Sequence, residues 1–341
     1  MRILLVAETF APAVDPLADA ARHVTDALVA GGHEVLVVTT TSGQGSYRGA
    51  AVLRTRTLLP QAEVRAASER FSPDVAWFLV PRAMGAAAMR ALEPTGVPMV
   101  VVDPTPLHPR AGTVLATSRS SARVLAAAGV KADIWLPGVR SDEHHPGLRS
   151  AQLHDRWARV GKPGGPLAVV GYVGPVGPPT SKRVRRLSRI AALDGVRLVV
   201  LGCGTGTATL KEAGAKIIGG SNGLELARAI ASLDLLVQPR KQDSSLGPVR
   251  KALASGVPVV AFENGATADV VRDGQTGLLV RSGTGPLVSA VGRLASDEVL
   301  RARLAAKARE SVSHRTWADA VAELVAMSAQ RLSRSDAPMA G

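Results

Sequence analysis

The chain has 341 residues, 46% of them hydrophobic but only 3% aromatic, so Ala, Val, Leu and Gly must build its core. Its formal charge of +13 favours anionic ligands such as nucleotides, nucleic acid or an anionic membrane surface, although solubility alone also accounts for such a charge. A single cysteine, Cys203, excludes a disulfide framework and a cysteine metal site, and no apolar run approaches the roughly 18 residues of a membrane span.

The opening "MRILLVAETF" reads as a strand rather than a secretory signal: its apolar run is short, it contains Glu8, and no small-residue cleavage site follows. With the cysteine usage, this points to a reducing cytoplasm. Residues 18–31 repeat apolar positions at helical spacing and stop at Gly31-Gly32. Further strands are expected at "EVLVVTT", "PDVAWFLV" (73–80), "VPMVVVD" (97–103) and "TVLATS" (113–118). Continuous apolar strands of this length imply a parallel sheet buried on both faces, and their alternation with helices is βαβ logic.

The pattern breaks at 141–165, a polar stretch that reads as linker plus a short helix. A second series follows: "LAVVGYVG" (167–174), "VRLVVLG" (196–202), "AKIIGG" (215–220), "LDLLVQP" (233–239), "VPVVAF" (257–262) and "GLLV" (277–280). Two or three helices are expected between Leu287 and Leu332, and a disordered tail over 333–341. The fold class is therefore α/β, with two Rossmann-like doubly wound domains facing a cleft. Residues 1–150 form the first and 166–315 the second, and a helix at 316–332 packs back on the first. Ligands of such sheets bind at the C-terminal ends of the strands.

Positive charge is uneven. Residues 1–165 carry 18 basic and 14 acidic side chains, a net of +4; the remainder carry 23 and 14, a net of +9. Part of the excess is a run on one predicted helix, where Lys182, Arg185, Arg186 and Arg189 share a face at helical spacing. One reading places Lys182 or Arg183 on a ligand phosphate; another makes the run a patch for an anionic membrane or nucleic acid. No aromatic residues interleave with it, as single-stranded nucleic acid would require.

In "DSSLGPVRKALASGVPVVAF", Pro248 opens a helix and Gly256 ends it. A helix behind a loop of small residues offers bare N–H groups to an anion. Arg250 and Lys251 near its start oppose the helix dipole.

The order of these stretches resembles the GT-B glycosyltransferases of the family 4 type, similar to actinobacterial mannosyltransferases. The likeness is carried by the N-terminal strand–helix–strand, "FSPDVAWF" (71–78), "VVGYVGPVGPPTSKRVRRL" (169–187), "VRLVVLGCGTGTATLK" (196–211) and, most specifically, residues 233–280. The resemblance implies sugar transfer from a nucleotide diphosphate sugar with retention. No metal or other cofactor is obligatory, and the donor lies against the second domain. Lys182, the one plausible match to the family's Lys, or Arg183 beside it would face the diphosphate. Gly204, in a turn like one that packs near the nucleotide, would belong to the same site, as would Ser244, Ser245, Leu246 and Gly247. The implied partners are a nucleotide sugar and a small acceptor.

Several positions depart from the family pattern. The first turn, "APAVDPLAD", has Asp15 and Pro16 where glycine is expected, so Asp15 reads as a helix cap rather than a donor contact. Pro104 and Pro106 stand where a His or Asp is usual, leaving Asp103 and His108 as substitutes in the chemistry. His108 has a solvated-loop reading beside that one. Pro175 replaces an expected Arg. Of the family's two glutamates with seven residues between them, the first is matched by Asp243, a shortened carboxylate for the sugar. The second is matched by Lys251, which cannot accept ribose hydroxyl bonds and would contact phosphate instead. The helices before "TVLATS" are shortened, which implies an unusual acceptor, such as a natural-product aglycone, a thiol or an inositol. Two outcomes stay open: a divergent transferase, or a paralogue that binds a nucleotide or a partner enzyme without transfer.

Overall fold

The computed structural model describes residues 1–57, 60–104, 112–220, 223–240, 246–263 and 265–335. The chain divides into two units: Met1–Gly138 with Trp317–Gly341, and Val139–Thr316.

Unit 1 holds eight strands: β1 (Arg2–Ala7), β2 (Glu34–Thr39), β3 (Ser46–Tyr47), β4 (Ala50–Arg54), β5 (Val75–Leu79), β6 (Met99–Val102), β7 (Thr113–Ala116) and β8 (Asp133–Ile134). Their order is β3-β4-β2-β1-β5-β6-β7-β8, parallel throughout except for the β3–β4 pair. Ile3 of β1 sits between Val35 and Val75. Because strand side chains alternate in direction, Ile3, Leu5 and Ala7 enter one core while Leu4 and Val6 enter another. Both faces are covered, as the continuous apolar strands require.

Four helices connect these strands: α1 (Pro16–Ala30), α2 (Gln61–Phe71), α3 (Ala83–Leu92) and α4 (Arg119–Ala127). Ala21, Val24 and Leu28 of α1 meet Trp317, Ala320, Val321 and Leu324 of the C-terminal helix, Trp317–Ser335, in one core. Two indoles fasten that helix: Trp77 Nε1 donates to Ser328 Oγ at 3.1 Å and Trp135 Nε1 to the Ala320 carbonyl at 2.7 Å.

Unit 2 starts with α5 (Ala151–Ala158) and builds on β9 (Ala168–Val173), β10 (Val196–Leu201), β11 (Lys216–Ile217), β12 (Leu235–Gln238), β13 (Val259–Phe262) and β14 (Gly277–Val280). The sheet order is β11-β10-β9-β12-β13-β14, with every pair parallel. Its strands again alternate between two cores: Val199 and Leu201 face one, Leu198 and Val200 the other. The remaining helices are α6 (Lys182–Ala191), α7 (Thr207–Glu212), α8 (Gly223–Ala231), α9 (Gly247–Ala254), α10 (Thr284–Ser296), α11 (Glu298–Ala308) and α12 (Glu310–Ser313). From Thr284 onward the described residues form four helices where the spacing suggests two or three, because Asp297 caps a new helix after α10 and the polar stretch at 309–316 sets the short α12 apart.

Candidate functional site

The C-terminal ends of β9, β10 and β12 lie side by side, and a helix follows each. Residues from three separate stretches of sequence meet along this edge.

After β9 the chain turns through Gly174 and Val176. Their amides donate to the carbonyls of Leu201 and Cys203, at 3.1 and 2.9 Å, in the turn after β10. The two turns touch backbone to backbone. A β-carbon on Gly202 would overlap the Gly174 carbonyl oxygen, one on Gly204 that of Val176, and one on Gly206 would crowd that of Gly177. Gly204 also has φ +152°, which side chains disfavour. The glycines of "LGCGTG" are thus required by this loop contact.

Arg183 supports the same turn. Its Nη1 donates to the Pro175 carbonyl and, at 3.3 Å, reaches the Tyr172 hydroxyl, which itself donates to Pro175 at 2.9 Å. Lys182, the first residue of α6, is exposed. Ser181 caps that helix, its hydroxyl accepting from the Val184 amide at 3.2 Å. The shared basic face read from spacing is divided. Lys182, Arg185 and Arg189 are exposed, whereas Arg186 turns inward. Its Nη1 donates to the Pro239 carbonyl just after β12 at 2.8 Å, and its guanidinium lies 4.8 Å from the Phe262 ring centre at the end of β13. Burial, then the neighbouring Arg185, lower its pKa. Arg186 is a cation of the strand ends that spacing alone grouped with solvated neighbours; the signal lay in its place beside the buried Leu187.

At the third strand end, α9 begins at Gly247 behind the buried Leu246. Among the described residues no side chain caps it, its first turn carries no acidic residue, and Pro248 has no N–H. The Gly247 and Val249 amides are among those left without an intrahelical partner. Lys251 is half-buried one residue beyond the buried Arg250. Lys182, Arg183, Gly204, Leu246 and Gly247 are therefore placed along one edge of one sheet, whereas Lys251 stands in the last turn of α9. Asp243, Ser244 and Ser245 lie outside the described residues, as does His108.

Asp103 belongs to unit 1, just after β6, with φ +45°. Its carboxylate accepts from the Thr117 amide at 3.0 Å and from the hydroxyls of Thr117 and Ser121. Burial raises its pKa, and these bonds oppose the rise. The group is held by its own chain at the junction of β6, β7 and α4.

Two further carboxylates of unit 1 occupy helix starts. Asp15 accepts from the Leu17 and Ala18 amides at 2.9 and 3.0 Å and from Thr9 Oγ1 at 3.1 Å. Glu8 Oε1 accepts from the Arg82 and Gly85 amides at 2.8 and 2.9 Å, at the start of α3. The capping by Asp15 is the role its sequence suggests. That of Glu8, 74 residues from Arg82, has no local signature. In unit 2, by contrast, α6, α7 and α9 carry no acidic residue in their first turns. The electrostatics of this edge suit an anion. Among the described residues no group of three or more His, Cys, Asp or Glu side chains gathers as a metal site, and no helix is long and apolar enough to cross a membrane.

Comparison with known proteins agrees with this geometry. The profile described as "Glycosyl transferases group 1" matches residues 168–297, which contain the whole edge. A GDP-mannose-dependent alpha-mannosyltransferase of Mycolicibacterium smegmatis is 31% identical over 95% of this chain and 96% of its own length. Among solved structures, a sucrose-phosphate synthase from Thermosynechococcus elongatus superposes with a TM-score of 0.80 at 16% identity, covering 98% of this chain and 100% of that one. Anabaena HepE in complex with UDP-glucose gives 0.74 at 17%, covering 97% and 100%. Two doubly wound parallel-sheet units, an anion-suited edge on the second and a full-length relative together assign the chain: it belongs to the group 1 glycosyltransferases and has the GT-B fold.

Proposed function

We propose that this glycosyltransferase moves a sugar from a nucleotide diphosphate sugar to a small hydroxyl- or thiol-bearing acceptor, with retention and without a metal. A GDP-linked donor is favoured by the mycobacterial relative, and UDP is the alternative base. The observation that carries the reading is the second unit's strand edge, with three helix first turns free of acidic side chains and Lys182 as the first residue of α6. As the sugar departs, the nucleoside diphosphate gains negative charge, and fixed amides and cations at that position lower the barrier. Lys182, exposed at the start of α6, is assigned to the diphosphate. Arg183 supports the turn beneath it. Leu246 and Gly247 present the α9 backbone, with Ser244 and Ser245 before them, and Lys251 is assigned to phosphate. Asp243 is assigned to the sugar. Asp103 is read as a structural group, leaving His108 as the candidate on the acceptor side.

Release of nucleoside diphosphate from a panel of GDP- and UDP-sugars tests the reading. Turnover of at least one donor is expected, and Lys182→Ala should lower kcat/KM at least tenfold, the loss of one charge-assisted contact of about 1.5–3 kcal/mol. An unchanged rate in that variant removes Lys182 from the site. Lys251, a cation where the family resemblance implies a carboxylate, favours a second reading: a chain that binds nucleotide or a partner enzyme without transfer. Tight nucleotide binding with no release from any donor would select it.

A further inference from the structure

The excess charge of the chain belongs almost wholly to one unit. Val139–Thr316 carries 26 basic and 14 acidic side chains, a net of +12; the rest of the chain carries 15 and 14, a net of +1. Within unit 2 the helices on the two faces of the sheet differ as much. On one face α6, α7, α10 and α11 bury Leu187, Leu210, Leu294 and Leu304 in a common core. These four helices hold ten basic and two acidic residues, a net of +8. On the other face α5, α8, α9 and α12 bury Trp157, Ile230, Leu253 and Val312. They hold four basic and three acidic residues, a net of +1.

The cations of the first face are turned to solvent. Arg185 and Arg189 share one side of α6 at i,i+4 spacing, as do Arg303 and Lys307 on α11, and all four are exposed. α10 packs against both of these helices. Besides Arg293 it exposes only Gly285, Pro286, Ser289 and Ser296, so nothing bulky or acidic on it stands among the cations. Among the described residues none of these five cations takes part in an ion pair. The carboxylates nearby in sequence are Asp194, Glu212, Asp297 and Glu298, and Asp297 is engaged in capping α11, where it accepts from the Leu300 amide at 2.8 Å. Val299 lies one turn before Arg303 on the same side of α11 and is 81% exposed, more than any other large apolar side chain among the described residues.

We propose that the outward faces of α6, α10 and α11 form a docking surface for an anionic membrane, with acidic phospholipid headgroups as the partner. Long cations spread over three helices suit a charge that is itself spread over a plane, since no fixed pairing is needed. Unpaired like charges repel one another within the protein, and a negative surface relieves that repulsion. Nucleic acid is the poorer fit: α6, α10 and α11 contain no aromatic residue on which a base could stack. An exposed Val299 among cations suits the boundary between headgroups and acyl chains. Attachment is through unit 2 and peripheral. It does not depend on the transferase reading, and Lys182, assigned above to the donor, is not needed for it.

The test is co-sedimentation of the full chain with two kinds of vesicle, phosphatidylcholine alone and an equal mixture of phosphatidylcholine and phosphatidylglycerol, at low and high salt. Wild type should bind the mixed vesicles, bind the neutral ones far less, and be released by salt as the charges are screened. Two double variants, Arg185→Gln/Arg189→Gln and Arg303→Gln/Lys307→Gln, should each lower the partition coefficient about tenfold or more, since each cation near such a surface is worth about fivefold. Both should unfold at the wild-type temperature, because the four side chains are exposed and unpaired. The control removes two exposed cations of the opposite face, Arg156→Gln/Arg228→Gln. It makes the same change in net charge and should leave most of the binding intact. An equal loss in the control would mean that net charge alone attracts the vesicles and would overturn the surface. So would equal binding to both kinds of vesicle, or no binding to the mixed ones. Duplex DNA or single-stranded RNA held more tightly than the mixed vesicles, and through the same four cations, would assign the face to nucleic acid and end the lipid proposal.

Discussion

Single polar residues do much of the fastening in unit 2. Asp234, just before β12, accepts from the Val169 amide at 2.8 Å, from His154 Nε2 at 3.1 Å and from Arg149 Nη2 at 3.1 Å. Burial by itself would raise its pKa; the Val169 amide, then His154 and Arg149, outweigh that and hold it below the ordinary carboxylate value. A depressed carboxyl stabilises the fold above its unfolded-state pKa, and the contribution is lost as pH falls through the folded one. Asp234→Asn should therefore cost about 1–3 kcal/mol at neutral pH, and the gap to wild type should close in strong acid. Urea unfolding at pH 7 and at pH 3 and below checks both limbs. A gap independent of pH would mean that the charge is not what stabilises.

At the scale of elements, the turns after β9 and β10 act as one piece, because backbone meets backbone at Gly202, Gly204 and Gly206. Gly204→Ala must push the Val176 carbonyl away and also adopt a backbone angle that favours glycine. The expected loss is about 3 kcal/mol or more, read as a lowered unfolding temperature together with lost donor binding. Most strands and their parallel pairing were legible, because strands buried on both faces leave unbroken runs such as "VVVD" and "LDLLVQP". The strands β3 and β4 were not, since "SYRGAAVLR" is short, polar and glycine-broken and takes its shape from pairing with β2. The edge of the site was legible as motifs but not as partners. Arg183 and Arg186 look alike in "KRVRRLSR", yet one braces its own turn while the other crosses to Pro239. That difference depends on which side of α6 meets the sheet. Glu8 shows the same limit: its use at the start of α3 is decided by tertiary proximity, not by neighbours in sequence.

At the scale of the molecule, unit 1 is completed by residues from the far end of the chain. Trp317, Ala320, Val321 and Leu324 are buried against α1, and both indole bonds to this helix cross more than 180 residues of sequence. Removing residues 317–341 should expose that apolar face of unit 1 and leave the Val139–Thr316 unit with its own cores intact. Hydrogen exchange should then show lost protection in β1 and α1 and unchanged protection in β9, β10 and β12. Equal loss in both units would mean that they unfold together. The charge of +13 is also unevenly used: carboxylates occupy the starts of α1 and α3 in unit 1, while the first turns of α6, α7 and α9 in unit 2 carry no acidic residue.

The return of the C-terminal helix sets an order of birth. A nascent chain ordinarily folds its domains from the N-terminus onward. Here the ribosome delivers every residue of Val139–Thr316 before it delivers Trp317. The second unit can be finished while the first, although synthesised earlier, still waits for the helix that closes its core.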